Sequence, residues 1–191
     1  MVRRALLTLV PFLFAANAAA QVGSVTRTRS ISGAGYFGAS MAALGDLNGD
    51  GVGDLAVGAS RHRVIWILFL ASNGSVLSRS AISATNPVFT GTLFDFGGRI
   101  TNVGDLDGDG VPELAAFSGS PNRLWILFLM PDGSLKGQTE IQFSDPAFVP
   151  PTSAAFFDGE QIFPGLEGLG DLDGDGLGDL AVGSPFDPDG G

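Results

Sequence analysis

The chain has 191 residues, no cysteine and a formal net charge of −10. Hydrophobic residues make up 45% of it, enough to bury a core, which excludes global disorder. The acidic balance argues against nucleic acid and anionic membrane surfaces as partners, and the lack of Cys excludes a disulfide framework.

The chain opens with Arg3 and Arg4, an apolar run over 5–16 and a small-residue site at Ala18, Ala19 and Ala20. This reads as a secretory leader over 1–20, because the run is short for a bilayer span and a cleavage pattern follows it. The expected address is therefore secreted, extracellular or at the cell surface, with no membrane insertion. Residues 21–32 come next. Within them 25–32 repeats the Val, Ile and Ser spacing of 76–83, which predicts a strand of the same kind.

A unit then begins and is repeated. The first copy is assigned to 33–92, the second to 93–151 and an incomplete third to 152–191. A 59-residue step relates Phe37-Gly38 to Phe96-Gly97, and the Trp-Ile-Leu-Phe-Leu run at 66–70 to the same run at 125–129. Such a step is the mark of a repeat architecture. In the first unit the predicted strands are 37–44, 55–59, 64–70 and 76–82. The third is rich in Ile, Trp and Phe, as a strand buried on both faces is. Asn73-Gly74 between the last two is a hairpin signal. Pro131-Asp132-Gly133 stands at the matching turn of the second unit. No segment after the leader shows helical periodicity with caps, and 29 Gly with 11 Pro favour turns.

An acidic loop joins the first two strands of each unit. Oxygen-bearing side chains stand at its positions 1, 3, 5 and 9, with Gly at 6: Asp46, Asn48, Asp50 and Asp54; Asp105, Asp107, Asp109 and Glu113; Asp171, Asp173, Asp175 and Asp179. Eleven of the 20 acidic residues lie in these loops. Carboxylates this close repel unless a cation sits among them, and a hard cation such as Ca²⁺ takes about six to eight oxygens. Position 12 is Val57, Ala116 or Val182 rather than the bidentate Glu of an EF-hand, and a strand follows each loop where an EF-hand has a helix. Mg²⁺ resists dehydration, and transition metals lack Cys or clustered His here. About three Ca²⁺ ions are expected.

Four antiparallel strands per repeat is the arrangement of a β-propeller blade. Phe37-Gly38, the acidic loop and Gly58-Ala59-Ser60 together resemble the FG-GAP repeats of integrin α-subunit propellers and their bacterial relatives. In the second unit Phe96-Gly97 and the loop match, but Ala116-Phe117-Ser118 departs from Gly-Ala-Pro. The third keeps the loop and Gly183-Ser184-Pro185, with Ile162-Phe163 where Phe-Gly would stand. The resemblance implies an all-β fold of about three propeller blades. In that arrangement the side-chain ligands are joined by the carbonyls of Val52, Val111 and Leu177. About four to eight blades make a propeller, so further blades of the same polypeptide are expected, and the strand over 25–32 would close the ring on the last of them.

The resemblance further implies a non-enzymatic module for adhesion or extracellular recognition, its partner an extracellular protein or glycan of unknown identity. The alternative is an accessory repeat region of a larger extracellular hydrolase or lyase. His62, between Arg61 and Arg63, is read as a surface residue, and Trp66 and Trp125 as core. There is no nucleophile elbow, phosphate loop or basic patch, hence no catalytic residue to name.

Overall fold

The computed structural model describes residues 5–9, 12–15, 27–89, 93–119, 122–141 and 165–183. The described residues are all-β, with one short 3₁₀ turn among them at Ser60–His62. The first four-stranded antiparallel sheet runs β4 (Phe37–Gly45), β5 (Asp54–Ala59), β6 (Val64–Leu70) and β7 (Val76–Ser83) in sequence order. The second repeats it with β8 (Arg99–Gly104), β9 (Glu113–Gly119), β10 (Asn122–Leu129) and β11 (Leu135–Ile141). Two strands of the third unit are described, β12 (Gly165–Gly170) and β13 (Asp179–Gly183). These are blades of propeller type, and the described residues do not close a ring.

The first strands of the three blades neighbour one another in turn. Asn102 Nδ2 on β8 donates to the Ala43 carbonyl on β4 at 2.8 Å, and the Gly168 amide on β12 donates to Thr101 Oγ1 at 3.0 Å. They border a groove of about 430 Å³ lined by Met41, Ala43, Thr101, Asn102, Glu167 and Gly168, among others.

Period-2 alternation gives each central strand two apolar faces. Ala56, Ile65, Ile67 and Phe69 of the first blade meet Leu114, Ala116, Trp125, Leu127 and Leu129 of the second. Trp125 is 1% exposed and meets Phe89 edge-to-face at 5.4 Å. The other face of the second blade, Val103, Ala115, Leu124 and Ile126, packs against Leu166, Leu180 and Val182 of the third. The outer face of the first blade gathers Phe37, Leu55, Val57, Ala59 and Leu68. Trp66 lies on that face, half-buried beneath the Arg79 guanidinium at 4.5 Å, so the two tryptophans share a register but not an environment.

The seam between the first two blades explains the Phe-Gly and Gly-Ala landmarks. A Cβ on Gly58 would stand 1.8 Å from the Gly97 carbonyl oxygen, so the two backbones touch where both residues are glycine. Ser40 Oγ donates to the same carbonyl at 2.7 Å. The strand register puts Phe117, and not Ala116 as the motif alignment had it, at the Gly58 position of the second blade, and there the close approach is made by different residues. A Cβ on Gly168 or Gly178 would meet the carbonyl of Asn102 or Val103 at 2.0 or 1.9 Å.

The described N-terminal strands form a small sheet of their own. β1 (Ala5–Leu9) and β2 (Phe12–Ala15) pair antiparallel, and β3 (Arg27–Ile31) joins β1 in parallel. The strand expected over 25–32 is therefore present in its central part, and it pairs with β1 instead of a blade. An unpaired strand takes the nearest open edge. Ile31 packs against the outer face of the first blade. His62 is exposed. Ile162, Phe163, Ser184 and Pro185 lie outside the described residues.

Candidate metal centre

Each acidic loop grows from a left-handed glycine that ends the first strand of its blade: Gly45, Gly104 or Gly170, with φ of 70°, 82° and 71°. A left-handed conformation suits Gly and strains other residues, so the chain leaves the sheet here at little steric cost. Glycines at loop positions 4 and 6 take the same conformation in all three copies.

The carboxylates organise the backbone in one repeated pattern. Asp46 accepts from the amides of Asp50 and Gly51 at 2.9 and 2.7 Å. Asp105 does the same for Asp109 and Gly110 at 3.1 and 2.8 Å, and Asp171 for Asp175 and Gly176 at 3.1 and 3.0 Å. At position 3, Asn48, Asp107 and Asp173 each accept from the amide at position 5. At position 5, Asp50, Asp109 and Asp175 each accept from the amides of Val52, Val111 and Leu177, the residues whose carbonyls complete the expected ligand sets. At position 9, Asp54, Glu113 and Asp179 reach back to the amide at position 2.

The three loops gather their acids to different degrees. One oxygen from each of Asp105, Asp107, Asp109 and Glu113 lies within 4.8 Å of the others. In the third loop Asp171, Asp173 and Asp179 do so, without Asp175. In the first loop Asp46, Asp50 and Asp54 form no such group. There Asn48 Nδ2 donates to Asp50 Oδ2 at 3.1 Å, and Asp54 spends its second oxygen on the Leu70 amide at 3.0 Å.

Glu113 shows that the donor set suits a cation. It is 0% exposed, its Oε2 accepts from the Leu106 amide, and its Oε1 is buried with no partner. A buried, unsatisfied carboxylate oxygen is costly unless something positive meets it. Burial first, then the charges of Asp107, Asp105 and Asp109, pushes the Glu113 carboxyl above its ordinary range. Burial likewise raises Asp54, against hydrogen bonds from Leu70 and Leu47. All-oxygen donors with no Cys or His are the chemistry of Ca²⁺ or Mg²⁺.

The motif itself does not reveal Lys136. This residue on β11 sends Nζ to Asp107 Oδ2 at 2.7 Å and to Asp109 Oδ2 at 2.5 Å. Its hydrogen bond holds the Asp109 carboxyl below the ordinary range. The one available signal is the 59-residue register, which sets Lys136 opposite Leu77.

Gly58 of the seam, the first acidic loop and strands β4 to β6 lie within residues 37–77, and the sequence profile of the family described as FG-GAP repeat matches that stretch. The chain carries an FG-GAP repeat. The relatives it matches include integrin α subunits. Integrin alpha-PS5 of Drosophila melanogaster is 30% identical over 158 residues, covering 78% of this chain and 15% of that protein. Integrin alpha-IIb of Homo sapiens is 34% identical over 176 residues, covering 83% and 16%. Integrin alpha pat-2 of Caenorhabditis elegans is 31% identical over 112 residues, covering 56% and 9%. The chain thus spans about a sixth or less of the length of these relatives. The FG-GAP match ends before the second and third acidic loops, which share the hydrogen-bond pattern of the first. No helix among the described residues is long and apolar enough to cross a membrane.

Proposed function

We propose that the chain is a secreted, calcium-binding β-propeller module for adhesion or extracellular recognition, without enzymatic activity. Glu113 carries the metal half of this reading: a buried carboxylate oxygen with no partner points to a cation held with Asp105, Asp107 and Asp109. The likeness to integrin α subunits supports the adhesive half. In this reading residues 1–20 are a leader, and the blades occupy 33–92, 93–151 and 152–191. About three Ca²⁺ ions sit in the loops, on the side chains at positions 1, 3, 5 and 9 with the carbonyls of Val52, Val111 and Leu177. The partner is an extracellular protein or glycan. Immobilised matrix proteins and glycans, probed with the full chain, test it. Binding in millimolar Ca²⁺ that is lost in chelator is the expected result; binding that chelator leaves unchanged contradicts a calcium-dependent module.

The sites are not equal in this reading. The first loop carries Asn48 where the third carries Asp173, and its acids are not drawn together. Ligand charge tunes Ca²⁺ affinity, so the first loop is the weaker of the two. In calorimetric titrations Asp171→Ala should cost more Ca²⁺ affinity than Asp46→Ala. Equal losses, or the reverse order, contradict the ranking.

A further inference from the structure

We propose that Lys136 is an internal competitor for the second acidic loop. Its ammonium occupies the Asp107–Asp109 side of the loop, and a divalent cation is held there only after that ammonium has swung out. This rests on the cation-binding reading of the loops.

Two observations at the same loop carry the inference. The first is the fork of contacts from Lys136 Nζ to Asp107 Oδ2 and Asp109 Oδ2, at 2.7 and 2.5 Å, across 29 and 27 residues of sequence. The second is Glu113 Oε1, buried and without a partner on the same cluster. The ammonium satisfies the solvent-facing acids and leaves the buried oxygen unmet. A divalent cation seated among Asp105, Asp107, Asp109 and Glu113 would meet it, so the loop retains a demand that Lys136 cannot fill. Both cations need Asp107 and Asp109, so they exclude each other. The lysine stem is flexible and its head is part-exposed, so leaving the loop returns the ammonium to water at modest cost.

The 59-residue repeat supplies a natural comparison. In the register of β7 and β11, Val76 pairs with Leu70 as Leu135 pairs with Leu129, so Leu77 stands where Lys136 does. Leu77 is 65% exposed and offers no charge. The Asn48 amide relieves Asp50 instead. The second loop is therefore supplied with its own counter-ion. It keeps its shape without metal and fills at a higher Ca²⁺ concentration than its four acids alone would set.

The test is a Ca²⁺ titration of the full chain followed by NMR. The amides of Gly108 and Gly110 report the second loop, those of Gly174 and Gly176 the third, and those of Gly49 and Gly51 the first. Lys136→Met should tighten Ca²⁺ at the second loop by roughly 1.4- to fivefold, the range of exposed ion pairs, with the third unchanged. It should also lower the melting temperature in chelator. Leu77→Lys, a surface change in the first blade, should weaken the first loop by a similar factor. An unchanged or weaker second-loop affinity in Lys136→Met, with the third loop still titrating, overturns the competitor and leaves the metal reading standing. If no loop amide of the wild-type chain responds to Ca²⁺, both fall.

Discussion

In millimolar Ca²⁺ the protein should melt well above its melting temperature in chelator. A ligand that binds only the native state adds about 2.7 kcal/mol per site at a hundredfold excess over its dissociation constant. For a chain of this size each kcal/mol moves the midpoint by about 2–4 °C. One filled site is therefore worth roughly 5–10 °C, and filling more than one adds to that. The gain comes from cancelling repulsion among acids that the fold holds within 4.8 Å, and from meeting the buried Glu113 oxygen. Scanning calorimetry at matched ionic strength separates specific binding from general screening, which acts on exposed charges at any salt. The same midpoint in Ca²⁺ and chelator, with no heat of binding, would remove the metal from the account.

Gly58→Ala should cost about 3 kcal/mol, the upper end of what overpacking does, and lower the melting temperature by roughly 6–12 °C. The new methyl carbon would stand 1.8 Å from the Gly97 carbonyl oxygen and 2.6 Å from Ser40 Oγ. The first contact is with backbone of the neighbouring blade, which cannot rotate away as a side chain can. The seam must open, and the packing of Ile65 and Ile67 against Trp125 and Leu127 loosens with it. Gly53→Ala is the control. Its added carbon would approach nothing closer than 3.8 Å, so it should change stability by no more than about 0.5 kcal/mol. Thermal or urea unfolding of both variants checks the pair. If Gly58→Ala proves as harmless as Gly53→Ala, the two blades are not locked at this point.

Much of this protein is legible in its linear order because the deciding interactions are local. The apolar runs and turn signals placed β4 to β7 within a residue of the observed strands, and the 59-residue step carries the same order to β8 to β11. Asn73-Gly74 closes its turn within five residues, through Ala71 and Ser75. The spacing of oxygens at loop positions 1, 3, 5 and 9 marked the acidic loops as units, and in the fold each of these side chains bonds an amide close by in sequence. The match of Phe37-Gly38 to Phe96-Gly97 announced a repeat but gave no reason for the glycines.

The rest is decided by contacts that cross the chain. Gly58 is required by a carbonyl in the next blade, and Ser40 reaches that carbonyl across 57 residues. Phe117 is tolerated at the matching position because the second seam closes on Gly168 and Gly178 instead. Three loops of nearly one sequence differ as sites. Lys136 enters the second from a strand 27 residues away, Asn48 relieves the first, and the first does not draw its acids together. β3 was foreseeable as a strand, but its pairing with β1 depends on which edge is open. Spacing along a chain records the period of a strand and the reach of a turn; which backbone or charge arrives from another blade is set by register and packing, and only the folded chain holds that information.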